Sequence, residues 1–109
     1  MNHSTETIRK LNDDFRRTLS GGQIMMTPGI AALGPDAVAR LIEKVITYED
    51  FSDDSDPHHE HDFGAIDIDG ERAFFKVDYY SLDLQAHSPD PSDPKVTQRV
   101  MTLLLAAEY

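Results

Sequence analysis

Apolar residues recur at helical spacing in three stretches of this chain and at strand spacing in three more. From Thr5 to Arg17, the residues Ile8, Leu11 and Phe15, continued by Leu19, fall at steps of three and four. This predicts an amphipathic helix with Arg9, Lys10, Asp13, Arg16 and Arg17 on its other faces. Ser4 or Thr5 suits the N-cap, and Gly21-Gly22 stops the helix. Gln23 to Thr27 is a short, nearly continuous apolar run between Gly22 and Pro28, which predicts a strand. Thr27-Pro28-Gly29 is a turn, and Ile30 to Leu33 suits a single helical turn. Gly34-Pro35-Asp36 then opens the clearest helix. Pro35 stands in its first turn, Asp36 favours the positive end of the dipole, and Val38, Leu41, Ile42, Val45 and Ile46 form one stripe that ends near Tyr48.

Asp69-Gly70 between two extended runs predicts a β-hairpin. With these two as the turn, Asp67 faces Arg72, Ile66 faces Ala73, Gly64 faces Phe75, and His61 comes near Asp78. One face then carries Ile66, Ile68, Ala73, Phe75, Val77 and Tyr79. The other carries Phe63, Ala65, Asp67, Arg72, Phe74, Lys76, Asp78 and Tyr80, a mixture that is neither plainly core nor plainly wet. Residues 88–94, with three prolines, form a rigid connection. Asp93 as N-cap and Pro94 in the first turn predict a last helix from Pro94 to about Glu108, with Val96, Val100, Met101, Leu103, Leu104 and Leu105 on a broad apolar arc. The expected fold is a single α+β domain, residues 1–109, in the order α-β-α-β-β-α. A small antiparallel sheet, a hairpin plus one short strand, packs with three helices.

Composition narrows the function. The 109 residues hold 10 Lys+Arg against 20 Asp+Glu, for a net charge of -10. Such a balance disfavours direct nucleic-acid binding, which needs a basic surface. There is no Cys, so disulfides, thiol nucleophiles and iron–sulfur centres are excluded. No apolar run is long enough for a membrane span, and the polar start Met1-Asn2-His3-Ser4-Thr5-Glu6 lacks the apolar core of a signal peptide, so a cytoplasmic protein is expected. The imbalance is local. Glu49 to Asp83 carries the whole excess, and Glu49, Asp50, Asp53, Asp54, Asp56, Glu60 and Asp62 follow one another with no Lys or Arg between them. The acidic loop, residues 49–61, reads either as a solvated segment that aids solubility or as a docking surface for something cationic. Arg9, Lys10, Arg16 and Arg17 are a modest basic patch, for which pairing with the acidic segment is the economical role.

Two constellations carry chemistry. In Asp56-Pro57-His58-His59-Glu60-His61-Asp62, imidazoles and carboxylates are dense enough to hold a transition metal. The spacing argues against a dedicated site: there is no His-Glu-x-x-His helix pattern, and His58 and His59 point apart. If extended, His59 and His61 share a face, and Asp78 or His87 would supply a third ligand. Asp53-Asp54-Ser55-Asp56 resembles the start of a calcium loop, but the required Gly and Glu are out of register. The second constellation is His61, Asp78 and Tyr79, which would serve acid–base chemistry if the hairpin register brings them together. No nucleophile elbow and no phosphate cradle accompany it. No cofactor is expected.

Several strings in order resemble a known family. They are Leu11-Asn12-Asp13, Arg16-Arg17-Thr18, Thr27-Pro28-Gly29-Ile30-Ala31-Ala32-Leu33, Glu60-His61-Asp62-Phe63-Gly64, Lys76-Val77-Asp78-Tyr79-Tyr80, Ser88-Pro89-Asp90-Pro91 and Ala106-Ala107-Glu108-Tyr109. Together they resemble the short bacterial proteins catalogued as domain of unknown function 3768, common on plasmids and in alphaproteobacteria. The resemblance implies a bacterial or mobile-element setting and supplies no activity, cofactor or catalytic residue.

The leading expectation is a non-enzymatic acidic binding protein, an anti-defence inhibitor of the anti-CRISPR or anti-restriction type. It would dock on a basic, nucleic-acid-binding surface of a partner protein. Carboxylates about 6–7 Å apart along extended chain can imitate phosphates. The expected contacts are Asp50, Asp53, Asp54, Asp56, Glu60 and Asp62, with Phe74 and Tyr80 as apolar anchors. The alternatives are a small metal-dependent or acid–base enzyme using His61, Asp78 and Tyr79, and a structural or regulatory subunit of a plasmid-encoded complex that forms homodimers through the mixed sheet face.

Overall fold

A computed structural model describes residues 3–109; Met1 and Asn2, the first residues of the polar start, lie outside the described residues. The elements are α1 (His3–Thr18), β1 (Gly22–Met26), α2 (Pro28–Ala31), α3 (Pro35–Ile46), β2 (Phe63–Ile68), β3 (Glu71–Tyr80) and β4 (Gln98–Leu105), closed by a 3-10 turn at Ala106–Glu108. The class is α+β, with three helices and one four-stranded sheet in the order β1-β4-β3-β2. The sheet is mixed, because β1 runs parallel to β4 while β3 is antiparallel to both of its neighbours.

The hairpin forms in the expected register, with Asp67 opposite Arg72, Ile66 opposite Ala73 and Gly64 opposite Phe75. Asp69 and Gly70 both take positive φ, 51° and 80°, as a two-residue turn between twisted strands requires. Ile66, Ile68, Ala73, Phe75, Val77 and Tyr79 are all buried. With Met101 and Leu103 of β4 they form the core against Ile8 and Phe15 of α1, Ile30 of α2, and Leu41 and Val45 of α3.

Two expectations about elements are corrected. The segment after Pro94 is not a helix. Asp93 does open a turn, its carboxylate accepting the Lys95 N–H at 2.9 Å, but the turn lasts four residues and the chain then extends as β4. This strand lies between β1 and β3 and meets packed residues on both faces, Met101 and Leu103 on one and Val100 and Leu104 on the other. A strand buried on two sides has a continuous apolar run, which periodicity cannot tell from a buried helix. The sheet therefore has four strands and is not purely antiparallel. The second correction concerns α1. It begins at His3, so Ser4 and Thr5 are inside it, and its buried stripe is Ile8, Asn12, Phe15 and Arg16, with Leu19 beyond its end. Arg16 is not a surface cation.

Gly64 allows the closest packing in the sheet. A Cβ there would stand 2.2 Å from the Phe75 ring and 2.8 Å from that of Tyr48. Both rings are held by edge-to-face contact with each other and with Phe51. Gly64→Ala is therefore expected to destabilise the fold by about 2 kcal/mol through overpacking, read as a lower urea midpoint at unchanged slope.

Candidate binding surface

The acidic loop is tied down from within. Asp56 is 2 % exposed, and its Oδ1 accepts the N–H groups of Glu60 and His61 at 3.0 and 3.1 Å. These two bonds close the turn that contains His58 and His59. His59 and His61 both take left-handed backbone, at φ 58° and 55°, so this piece is not extended and the shared face that would start a metal site is not formed. Among the described residues, no three His or carboxylate groups converge as metal ligands do.

His61 turns toward α1. Its Nδ1 lies 2.9 Å from Asp13 Oδ1, its Nε2 lies 3.8 Å from Asp56, and its ring stacks on Phe51 at 3.9 Å. Asp13 also accepts from Arg16 at 2.9 Å. Burial raises the Asp13 pKa, and the His61 and Arg16 hydrogen bonds outweigh it, holding the carboxyl below its ordinary value. Arg16 donates through Nη1 to the carbonyls of Val45, Ile46 and Tyr48 at 3.2, 3.3 and 2.8 Å, so one guanidinium caps the end of α3. The backbone of the loop meets α1 again where Asn12 donates to Glu60 O at 3.0 Å and Arg9 to His59 O at 3.1 Å.

Asn12, fully buried, also donates to the Tyr79 hydroxyl at 2.8 Å and accepts from Arg99 Nε at 2.9 Å. Tyr79 in turn donates to Glu60 Oε1 at 2.8 Å, and Arg99 reaches the Pro91 carbonyl. Burial, reinforced by the Glu60 carboxylate, pushes the Tyr79 phenol far above its ordinary value, so it remains a donor.

The proposed acid–base trio is not assembled. Asp78 and Tyr79 are consecutive in β3 and point to opposite faces. His61 lies on the Tyr79 side against Asp13, while Asp78 lies on the other face, 3.5 Å from Lys76 of the same strand. Asp78 lines an open cleft of about 410 Å³ with Lys76, Asp62, His58, Asp54 and Tyr109.

The expected partner contacts divide. Glu49, Asp50, Asp53 and Asp54 are exposed, and Glu60 and Asp62 are half-buried. Asp56 is removed from the outward set, because its carboxylate faces the loop's own backbone. Among the described residues, the ion pairs made to this segment come from His59 and His61, not from Lys or Arg. Topology adds a second acidic loop beside the first. The loop preceding β2 and the loop joining β3 to β4 leave the sheet at the same end, since Tyr80 pairs with Gln98 and Lys76 with Phe63. Asp83, Asp90 and Asp93 thus lie at the same end of the sheet as the first loop.

Residues 81–87 are held compactly: the Ser81 hydroxyl donates to Asp83 at 2.7 Å and accepts the Ala86 N–H at 3.1 Å, and Tyr80 bridges to His87. The Ser81 hydroxyl and the Gln85 N–H hold the Asp83 carboxyl below its ordinary value. Leu82, 62 % exposed, and Leu84 project beside exposed Tyr80. Sequence reasoning missed these leucines, for which the alternation in Ser81-Leu82-Asp83-Leu84 was the available signal. Phe74, the other expected anchor, packs half-buried between Phe63 and Tyr109, at ring distances of 4.9 and 5.6 Å.

At the opposite end Glu108 forms a clasp. Its carboxylate accepts from the Thr27 hydroxyl at 2.6 Å, Gly29 N at 3.1 Å and Leu105 N at 2.9 Å. A Cβ on Gly29 would lie 2.6 Å from that carboxylate. The Thr27-Pro28-Gly29 and Ala106-Ala107-Glu108-Tyr109 strings are therefore one structural unit.

These features define an α+β protein whose helix-backed mixed sheet carries two acidic loops at one end. The chain belongs to the family described as protein of unknown function DUF3768, whose profile matches residues 26–108. The match runs from the end of β1 through the Glu108 clasp and leaves out α1, so the Leu11-Asn12-Asp13 and Arg16-Arg17-Thr18 strings are outside it. No curated protein and no solved structure matches the chain. No helix among the described residues is long and apolar enough to cross a membrane.

Two outcomes are expected here. Asn12→Ala leaves Arg99, Tyr79 and Glu60 each one partner short and should cost about 3 kcal/mol in chemical denaturation. Asp62 behaves oppositely. Burial, with Glu60 and Asp56 nearby, raises its pKa above 3.8, so its ionisation at neutral pH works against folding. Asp62→Asn should therefore stabilise the protein at pH 7, with the gain fading as pH falls and absent below the ordinary carboxyl value of 3.8.

Proposed function

We propose that this chain is a non-enzymatic acidic binding protein, encoded on bacterial mobile elements, that docks on the basic nucleic-acid-binding surface of a partner and keeps nucleic acid from it. An inhibitor of CRISPR or restriction machinery is the setting that suits such a protein. The observation that carries this reading is the gathering of Asp50, Asp53 and Asp54, exposed and, among the described residues, with no salt bridge other than that of Asp53 to His59, at the same end of the sheet as Asp83 and Asp90. A fixed anionic surface of this kind attracts a cationic groove over several ångströms and speeds encounter. Tyr80, Leu82 and Leu84 at that end supply the apolar anchors on which residence depends.

Asp50→Asn, Asp53→Asn and Asp54→Asn combined test the reading, since none of the three is buried. A basic protein captured from nuclease-treated bacterial lysate serves as analyte in surface interferometry. Association should slow by about tenfold at ~50 mM salt, and the difference should close near ~0.5 M as the Debye length shrinks. The melting curve should not move. An unchanged on-rate and salt slope would overturn the proposal.

A further inference from the structure

Helix α1, the end of α3 and the start of the acidic loop border a cavity of about 260 Å³, lined by Arg16, Arg17, Tyr48, Glu49, Phe51 and His61. Arg16 is 1 % exposed. Its two terminal nitrogens are taken by the α3 carbonyls and by Asp13, but its Nε–H has no acceptor. Among the described residues it is the one buried side-chain nitrogen or oxygen left without a partner. A guanidinium N–H shut from water costs free energy unless something accepts from it. Arg17 and Glu49, of opposite sign and both exposed, line the same cavity. Among the described residues neither forms an ion pair, with the other or elsewhere. We infer that this cavity is a binding site for a small zwitterion, a free α-amino acid, whose carboxylate accepts from Arg16 Nε and Arg17 and whose ammonium faces Glu49.

Charge and size choose the ligand. The lining holds two guanidinium groups and one carboxylate, so an amine alone meets more repulsion than attraction. A free anion is attracted by the two arginines, but it also faces Glu49 and approaches a molecule of net charge -10. A multiply charged anion such as phosphate suffers more on both counts. A zwitterion has no net charge to be repelled, and each of its ends finds a counter-charge. Arg16 has a single N–H left and Arg17 brings a fork of its own, so a group with two oxygens in one plane suits them together. The carboxylate reaches the buried Nε through the small side-chain shifts that accompany binding. A volume of about 260 Å³ lies below the roughly 300–1,000 Å³ of sites for drug-sized ligands, so the occupant is compact. Tyr48 and Phe51 give its side chain an apolar wall. The inference is independent of the docking reading: none of these residues is a docking contact, and its test contains no partner protein.

Titration of the full chain with L-valine, followed by proton–nitrogen correlation NMR of the arginine Nε–H groups, tests it. Valine should shift the Arg16 resonance saturably, with a dissociation constant of ~1 mM or below. Isovalerate, which lacks the ammonium, and isobutylamine, which lacks the carboxylate, should each bind about tenfold more weakly through the loss of one charge-assisted contact. Arg17→Gln should weaken valine and isovalerate alike, by about tenfold. Glu49→Gln should weaken valine and tighten isovalerate, since it removes a counter-charge for one and a repulsion for the other. Both positions are exposed, so the melting curves should not move. No saturable shift by ~20 mM valine overturns the inference. So does isovalerate binding as tightly as valine, which marks a plain anion site, or valine binding indifferent to both substitutions.

Discussion

The carboxamide of Asn12 has two hydrogens and one oxygen, and three distant parts of the chain take all of them. Its hydrogens go to the Glu60 carbonyl in the acidic loop and to the Tyr79 hydroxyl on β3, and its oxygen accepts from Arg99 on β4. A buried amide with every position partnered fixes its neighbours, because any shift leaves a donor or acceptor dry. The neighbouring residues of α1 extend the same function. Asp13 holds His61, and Arg16 gathers the last carbonyls of α3 and lies 5.2 Å over Phe51. In a protein without disulfides, this polar face of α1 is what joins the long loop to the sheet.

The consequence is a loop whose carboxylates have separate tasks. Asp56 and Glu60 face inward and bind backbone and phenol, and this fixes the positions of Asp50, Asp53 and Asp54 on the outside. Elsewhere many charges are matched locally, as in Arg40 with Asp69, Lys10 with Asp14 and Arg72 with Asp67. Such exposed pairs add little stability, but they leave the field of the molecule to the unmatched end.

How much of this was legible in the sequence depends on the range of the interaction concerned. The hairpin register followed from Asp69-Gly70, because a two-residue turn fixes every pair beyond it. The third helix followed from Pro35 and the stripe Val38, Leu41, Ile42, Val45. The grouping of carboxylates between Glu49 and Asp62 was plain. The individual roles within that group were not, since Asp56 differs from Asp53 only in what the fold brings near it. Arg16 was read as surface because it is a cation, and it is buried because the end of α3 lies across from it.

By itself, then, the sequence determined the local elements whose signals lie within one or two turns of chain: α1, α3, the β2–β3 hairpin, and the excess of charge that follows α3. Tertiary structure alone decided that Gln98–Leu105 is a strand and that β1 lies parallel beside it. It also decided that His61 turns to Asp13 while Asp78 lies on the opposite face. The physical reason is the same in each case. An apolar run, a carboxylate or an imidazole carries no record of its partner when that partner is dozens of residues away, and only the packing of sheet against helices supplies it.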